Sequence, residues 1–448
     1  MEAIKFRRNI EPTRVLVLGF AAVIIIGALL LSLPVASSRG QSTDLLTSLF
    51  TSTSAVCVTG LVVVDTGTYW SVFGHIVILL LIQIGGLGFM TMSTFIALLL
   101  GKRIGLRERL IIKEALNEFS IQGMVKLMKN ILIMTVAVEA VGAVLLSIRF
   151  IPVYGFVKGI YFGTFHAVSA FCNAGFDLIG GYRNLTPFVG DAVLNLSIMT
   201  LIIIGGLGFA VNLDIFKNRR WKRLSLHSKL VVAITLFLIV AGFIFFYGVE
   251  YNNPMTLGAL SPTEKILAAF FQSVTCRTAG FYTIPTGELT DASKLMSIIL
   301  MFIGASPAST GSGVKTTTFA ILIIAVLSVI RGREDIQLFK RRIPNHLVFR
   351  ALAIVIISIC IILAVTMVLS LRENFKYIDL QFEAVSAFAP VGLSTGITPY
   401  LSSIGKAFII VTMFIGRLGP LTMAFALARK HKGGKSGIRY PEDKVLVG

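Results

Sequence analysis

The sequence predicts an all-α membrane protein of four tandem helix–pore helix–helix repeats, with eight transmembrane helices and four re-entrant pore helices around a pseudo-fourfold pore. Three observations carry that prediction: an apolar composition, a one-sided placement of basic residues, and a short motif that recurs along the chain. The 448 residues are 55% hydrophobic and only 14% charged, with mean hydropathy +0.85. Soluble domains carry about 25% charged residues, so this chain lacks the polar surface for an aqueous globule. Long apolar runs rather than alternation exclude an outer-membrane barrel.

A hydrocarbon core of about 30 Å needs roughly 20 apolar residues of helix. The runs that meet this are Val15–Pro34, Phe73–Leu100, Ile131–Phe150, Val193–Phe216, Leu230–Tyr247, Leu295–Ile330, Val348–Leu369 and Ile404–Ala428. The basic start, Met1 to Arg14, leads into an apolar stretch without a convincing cleavage site, so the first helix is read as retained. The chain divides into repeat 1 (1–100), a cytoplasmic amphipathic loop (101–130), repeat 2 (131–216), a loop (217–229), repeat 3 with a broken inner helix (230–330), a loop (331–347), repeat 4 (348–428) and a tail (429–448). The termini and the loops on their side hold 29 of the 41 Lys and Arg residues. Positive loops stay in the cytoplasm, which places both termini on the cytoplasmic side of the plasma membrane. The net charge of +19 is thus a topology signal, with anionic membrane lipid or an acidic partner as secondary readings. Nucleic acid is not an expected partner.

Between the paired helices lie segments too long and apolar for plain loops. The second contains Phe165-His166-Ala167-Val168-Ser169-Ala170-Phe171 and the fourth Phe382-Glu383-Ala384-Val385-Ser386-Ala387-Phe388, differing only at His166 and Glu383. The first offers Thr53-Ser54-Ala55-Val56 and the third Phe271-Gln272-Ser273-Val274. Each reads as a helix too short to span, which then runs into a glycine: Val58-Thr59-Gly60, Asn173-Ala174-Gly175, Thr278-Ala279-Gly280 and Pro390-Val391-Gly392. Counted from Ser273, the third repeat carries one extra residue before its glycine. Downstream, Ile84-Gly85-Gly86-Leu87-Gly88-Phe89 recurs as Ile204-Gly205-Gly206-Leu207-Gly208-Phe209, with Ile303-Gly304-Ala305 and Ile415-Gly416-Arg417-Leu418-Gly419 as counterparts. Repeats of this kind decide an architecture. The paired glycines of the inner helices leave ordinary helix packing open as their role.

Non-helical backbone at membrane depth survives only when buried in protein or facing a water-filled cavity. Glycine permits positive φ, so four such turns around one axis can aim carbonyl oxygens inward. A ring of carbonyls replaces the hydration shell of a monovalent cation, and the carboxyl ends of the short helices add partial negative charge. The expected activity is cation conduction, not catalysis. The four-repeat pattern, the FxAVSAF pore helices and the glycine turns resemble the Trk/Ktr/HKT superfamily of potassium transporters over roughly residues 15–428. The short amino terminus and eight spans are most similar to the membrane subunit of the bacterial Ktr system. The resemblance implies a selectivity filter at the twelve turn residues named above. It also implies potassium preference, since serine in the first filter goes with sodium preference in some plant relatives and Gly60 stands there in this chain. It further implies a homodimer paired with a cytosolic ring of nucleotide-binding regulators, and no cofactor beyond the transported K+, with Na+ as the alternative ion.

The sixth span is interrupted by Gly304-Ala305-Ser306-Pro307-Ala308-Ser309-Thr310-Gly311-Ser312-Gly313-Val314-Lys315-Thr316-Thr317-Thr318, where lipid would demand apolar residues. Pro307 removes a backbone donor and the glycines favour unwinding, so a loop can plug the pathway just inside the filter. By resemblance this is the family's intramembrane gating loop. Arg417 lies in the eighth span, where a charge costs at least about 2.5–3.5 kcal/mol. It is expected beneath the filter, against the gate. Cys57, Cys172 and Cys276 near the filter are read as small buried residues rather than a metal site. Arg277 is expected to turn outward to an acid at the mouth, and Glu139 to pair within the bundle. The basic loops and tail offer a cytoplasmic docking face; residues 102–130 read as an amphipathic surface helix. A coupled symporter of potassium with sodium or protons on the same fold is the competing function. No histidine stands with the paired groups that an intramembrane hydrolase needs.

Overall fold

The computed structural model describes residues 12–88, 124–333, 335–338 and 341–427. The expected surface helix, up to residue 123, and the tail from residue 428 lie outside them. Long apolar helices open the four segments: Pro12–Ser32, Met124–Tyr154, Leu226–Glu250 and Asn345–Arg372. Each leads into a short helix, Leu45–Cys57, Phe156–Phe171, Pro262–Thr275 and Tyr377–Phe388. An irregular strand and an inner helix follow: Val72–Leu87, Ala192–Leu207, Asp291–Phe302 and Ser403–Leu418. The long helices carry the exposed apolar side chains, among them Ile25, Leu29, Val136, Val144, Leu236, Ile244 and Met367, as a lipid-facing layer requires. Within segment 331–347, the two-residue strand Gln337–Leu338 pairs antiparallel with Arg341–Arg342.

The inner helices start alike. Ser71, Asp191, Thr290 and Ser402 each accept a bond from the backbone three residues on, satisfying a donor that a helix start leaves orphaned. They end differently from the expected continuous spans. The helix Val193–Phe216 is not one rod: it breaks at Gly208 and resumes as Phe209–Asn218, bent by 100°. The eighth breaks likewise at Gly419 and resumes as Pro420–Leu427, while Val72–Leu87 stops at Gly88. Gly88, Gly208 and Gly419 have φ of 86°, 99° and 87°, outside the range an α-helix can continue through. Among the described residues, four helices are long and apolar enough to cross a membrane, or five with the bent pair counted. The shortfall against eight reflects the breaks at Gly208 and Gly419 and the interruption of the sixth span between Phe302 and Thr316, while the expected second span from residue 89 onward lies outside the described residues.

Packing between the elements closes on itself. Each inner helix packs against its neighbour's short helix: Val72–Leu87 on Phe156–Phe171, Ala192–Leu207 on Pro262–Thr275, Asp291–Phe302 on Tyr377–Phe388, and Ser403–Leu418 back on Leu45–Cys57. Buried Phe50, Phe165, Phe171, Phe271, Phe382 and Phe388 fill the space around the short helices. Two core clusters hold them, a large one and a smaller one built mainly from the third and fourth segments.

Candidate permeation site

The four turn glycines meet. A methyl group added to Gly60 would strike the Ala174 carbonyl oxygen; on Gly175, that of Ala279 at 2.7 Å; on Gly280, that of Val391; and on Gly392, that of Thr59. The series runs from each segment to the next and returns to the first. All four glycines have positive φ, between 70° and 93°. A side chain at any of them is therefore strained by its own backbone and blocked by the neighbouring strand. Thr59, Ala174, Ala279 and Val391, the residues whose carbonyls are approached, are buried at the ring.

The strands enter the ring unequally. Val58, Asn173 and Thr278 adopt left-handed backbone with φ of 58°, 60° and 65°, a conformation unusual for residues other than glycine. Pro390 holds the same place in the fourth strand, and its ring locks φ near −65°. Hydroxyl groups on the short helices hold the strands. Ser54 and Ser386 accept from the N–H of Gly60 and Gly392 at 3.0 and 3.1 Å, and Ser169 donates to the Phe176 carbonyl at 2.8 Å. In the third segment Thr275 does this work, donating to the Phe281 carbonyl.

That assignment corrects the sequence register. The N–H before each glycine bonds a carbonyl five residues back in three segments, Thr59 to Ser54, Ala174 to Ser169 and Val391 to Ser386, but four back in the third, Ala279 to Thr275. Ser273 instead bonds the Ile239 carbonyl of its long helix at 2.7 Å, as Ser52 bonds Ile24. The third strand is thus one residue shorter than its counterparts, not one longer. Arg277 does not turn outward either: it is buried, and its Nη1 donates to the Thr235 carbonyl in the adjacent long helix at 3.3 Å.

The inner-helix glycines serve close approach. A Cβ on Gly85, Gly205 or Gly416 would collide with the carbonyl oxygen of Val56, Phe171 or Phe388, each four residues before its ring glycine, and one on Gly304 would collide with Ser312 in the loop. These glycines let each inner helix lie against the end of its own short helix. Glu139 accepts from Gln83 Nε2 at 3.2 Å and faces Cys172 Sγ at 3.9 Å.

Directly beneath the ring lies the interrupted span, residues 303–315. Ser306 and Thr310 donate backbone N–H groups to the Gly206 and Gly205 carbonyls at 3.0 and 3.3 Å, and Ala308 accepts from Phe209 at 2.8 Å. Thr310 Oγ1 reaches both the Phe171 carbonyl and Asn173 Oδ1 at 3.1 Å. Within the loop, Ser306 and Thr316 hydroxyls lie 3.0 Å apart, Ser309 donates to the Ser306 carbonyl at 2.6 Å, and Lys315 Nζ donates to the Gly311 carbonyl at 2.9 Å. Gly313, at φ of 79°, turns the chain back so that Ala305 bonds Ser312. Arg417 spans the layer. Its guanidinium donates to the Thr310 carbonyl, to Ser312 Oγ at 2.9 Å, and to the Gly85 and Gly86 carbonyls at the end of the first inner helix.

Two cavities flank these layers. The outer, of about 220 Å³, is lined by all four ring glycines together with Asp65, Asp177, Asn184 and Ser394. The inner, of about 280 Å³, is lined by Pro307, Gly311, Gly313, Gly88, Gly419 and the cations Lys315, Arg350 and Arg417. No residue lines both, and the loop with Arg417 stands between them. Asp44 and Asp191 cap helices, and Asp379 pairs with Lys294 at 2.9 Å, so these three acids have structural partners. Among the described residues no three His, Cys, Asp or Glu side chains converge on a metal position.

Residues 11–437 match the model of the TrkH family, described as cation transport protein. The chain is 45% identical to the Ktr system potassium uptake protein B of Bacillus subtilis over 98% of its length and 97% of that relative's. It is 40% identical to the potassium/sodium uptake protein NtpJ of Enterococcus hirae over 99% of both chains. Among solved structures, the potassium transporter TrkH from Vibrio parahaemolyticus superposes with a TM-score of 0.70 at 17% identity, covering 92% of this chain and 84% of that one.

Proposed function

This chain belongs to the TrkH family of cation transport proteins, and we propose that it takes up potassium across the membrane through the ring of four glycine strands. The observation that carries this reading is the closed series of contacts at Gly60, Gly175, Gly280 and Gly392. It brings four backbone carbonyls to one narrow passage, and carbonyl dipoles substitute for the water of a monovalent cation. The sequence at the ring is short, so few carbonyl layers act and sodium is rejected less strongly than by a longer filter. Four helix–pore helix–helix repeats about a pseudo-fourfold axis are the architecture this implies, with the cyclic packing of inner and short helices in support.

The loop of residues 303–315 is the gate and Arg417 its latch. The loop fills the passage below the ring, and Arg417 ties it to the first inner helix. Three cations line the cavity beneath, so an ion leaving the ring meets both a steric block and a positive potential until the loop withdraws. In keeping with the resemblance, a homodimer of this chain would present its basic face to a cytosolic nucleotide-binding ring that moves the gate, with both termini cytoplasmic.

Rescue of a potassium-uptake-deficient bacterium at low external potassium tests the reading. Wild type with its regulator restores growth, whereas Gly60→Ser and Gly392→Ser weaken it and raise sodium entry; failure of the wild type removes potassium as the substrate. Obligatory coupling to sodium is the second reading, favoured by the potassium/sodium uptake relative at 40% identity. Potassium current in a sodium-free bilayer, reversing at the potassium equilibrium potential, excludes it.

A further inference from the structure

The one difference between the second and fourth short-helix motifs, His166 against Glu383, marks a position with its own geometry. It lies three residues before the hydroxyl that holds each strand, one helical turn away on the same face. With Thr275 recognised as the third hydroxyl, the four occupants are Thr51, His166, Gln272 and Glu383, all buried to within 1% of full. Two of them reach the strand leaving the ring and two do not. Glu383 accepts from the Thr395 N–H at 3.1 Å, from Thr398 Oγ1 at 2.8 Å and from Ser394 Oγ. His166 Nε2 faces the Leu178 N–H at 3.5 Å while its Nδ1 bonds the Phe162 carbonyl at 2.8 Å. Thr395 and Leu178 both stand three residues after their ring glycine. Thr51 turns back to the Thr47 carbonyl, and Gln272 Nε2 reaches Cys276 Sγ at 3.8 Å.

We propose that Glu383 is a specificity-determining positioning residue, whose buried carboxyl group fixes the outer limb of the fourth strand and so sets where the Val391 carbonyl and Gly392 sit in the ring. The fourth strand is the one that needs this. It enters through Pro390, without the left-handed residue that turns the other three, and without the N–H that proline lacks. Glu383 grips the opposite end through three donors at Ser394, Thr395 and Thr398. Ser394 also lines the outer cavity beside Gly392. His166 gives the strand across the ring a weaker version of the same brace. Two opposite strands of the ring are therefore held from behind by titratable side chains, in addition to the short-helix hydroxyls that hold all four. Discrimination between alkali cations depends on carbonyl positions and field strength, so loosening this strand changes selectivity before it changes folding.

The inference rests on the ring being the potassium filter, and the test separates the two. Initial uptake rates for potassium and sodium are measured in the deficient bacterium for wild type, Glu383→Ala and Glu383→Gln, with membrane abundance determined by blot. Glu383→Ala loses all three donors' partner, and the KM for potassium rises relative to that for sodium by about tenfold, equivalent to about 1.4 kcal/mol. Glu383→Gln keeps an acceptor for Ser394 and Thr395 and shifts the ratio by about threefold. An unchanged ratio, or equal loss for both ions in proportion to abundance, overturns the proposal and leaves Glu383 a packing residue. If Glu383→Ala does not reach the membrane, the Glu383→Gln ratio decides alone: a shift supports the proposal and wild-type discrimination overturns it. Absence of potassium uptake by the wild type would instead defeat the filter reading.

Discussion

The ring of glycine strands and the layer directly below it are built on opposite plans. The ring uses the same residue four times, and every member performs one task, backbone approach to the next strand. The layer below uses each residue once. Three inner helices end at a glycine, Gly88, Gly208 or Gly419, while the third opens into residues 303–315, and a single arginine spans the result. A spherical ion can be coordinated from four equivalent sides, so symmetry suits the ring. If the loop is the gate proposed above, a block that must be moved needs one part that differs from its neighbours, and breaking the repeat in one segment supplies it.

The sharpest way to break this comparison is at the ring. Gly392→Ala places a Cβ against the Thr59 carbonyl at a φ of 91°, and the combined strain and clash of about 3 kcal/mol predict an approximately 100-fold loss of potassium uptake. Gly175→Ala should fall in the same class. One well-tolerated ring glycine, read by uptake at matched abundance, would end the equivalence of the four strands.

The layer below should respond in the other direction. Arg417→Gln removes the charge and part of the fork that joins Thr310, Ser312, Gly85 and Gly86. Rubidium leak without the regulator should rise about tenfold, with the order of ion preference unchanged, because a charge-assisted bond worth about 1.5–3 kcal/mol is lost outside the ring. Thr310→Ala deletes only the bonds to Phe171 and Asn173; a leak increase of about threefold is expected from one neutral hydroxyl. Equal leak from both variants would show that Arg417 contributes no more than loop packing.

The smallest effect separates two adjacent glycines. Gly205→Ala drives a Cβ into the Phe171 carbonyl and near Thr310 Oγ1, whereas at Gly206 the nearest atom is 3.5 Å away. Thermal unfolding in detergent should register about 1–3 kcal/mol for the first substitution and within about 0.5 kcal/mol for the second. Equal shifts would mean that the inner helix does not rest on its short helix as described.

Much of this site was open to reading in the sequence because it is written in residue types with few uses. Glycine at a fixed distance after four short apolar helices, Pro307 among small hydroxylated residues, and Arg417 within an apolar run all conflict with a plain span. The misreadings came where the code is degenerate. Ser273 and Thr275 both offer a hydroxyl near the third ring glycine, and only the bonds to Ile239 and Phe281 tell which of them corresponds to Ser54. Gly208 and Gly419 read as small residues within spans, because a glycine's sequence does not state its φ. Arg277 had two directions open to it, and the buried Thr235 carbonyl rather than an outer acid took its guanidinium. Glu383 carried a signal, the lone mismatch in a seven-residue motif, without the geometry to interpret it.

Composition and periodicity by themselves determined that this chain lives in a bilayer, repeats a short-helix motif and interrupts one span, since those properties follow from residue types and their order. Which carbonyl faces which glycine, where each inner helix stops, and which strand is braced from behind were decided only by the tertiary structure. The ring contacts join residues more than a hundred positions apart, and a backbone oxygen has the same identity at every position until the fold gives it a neighbour.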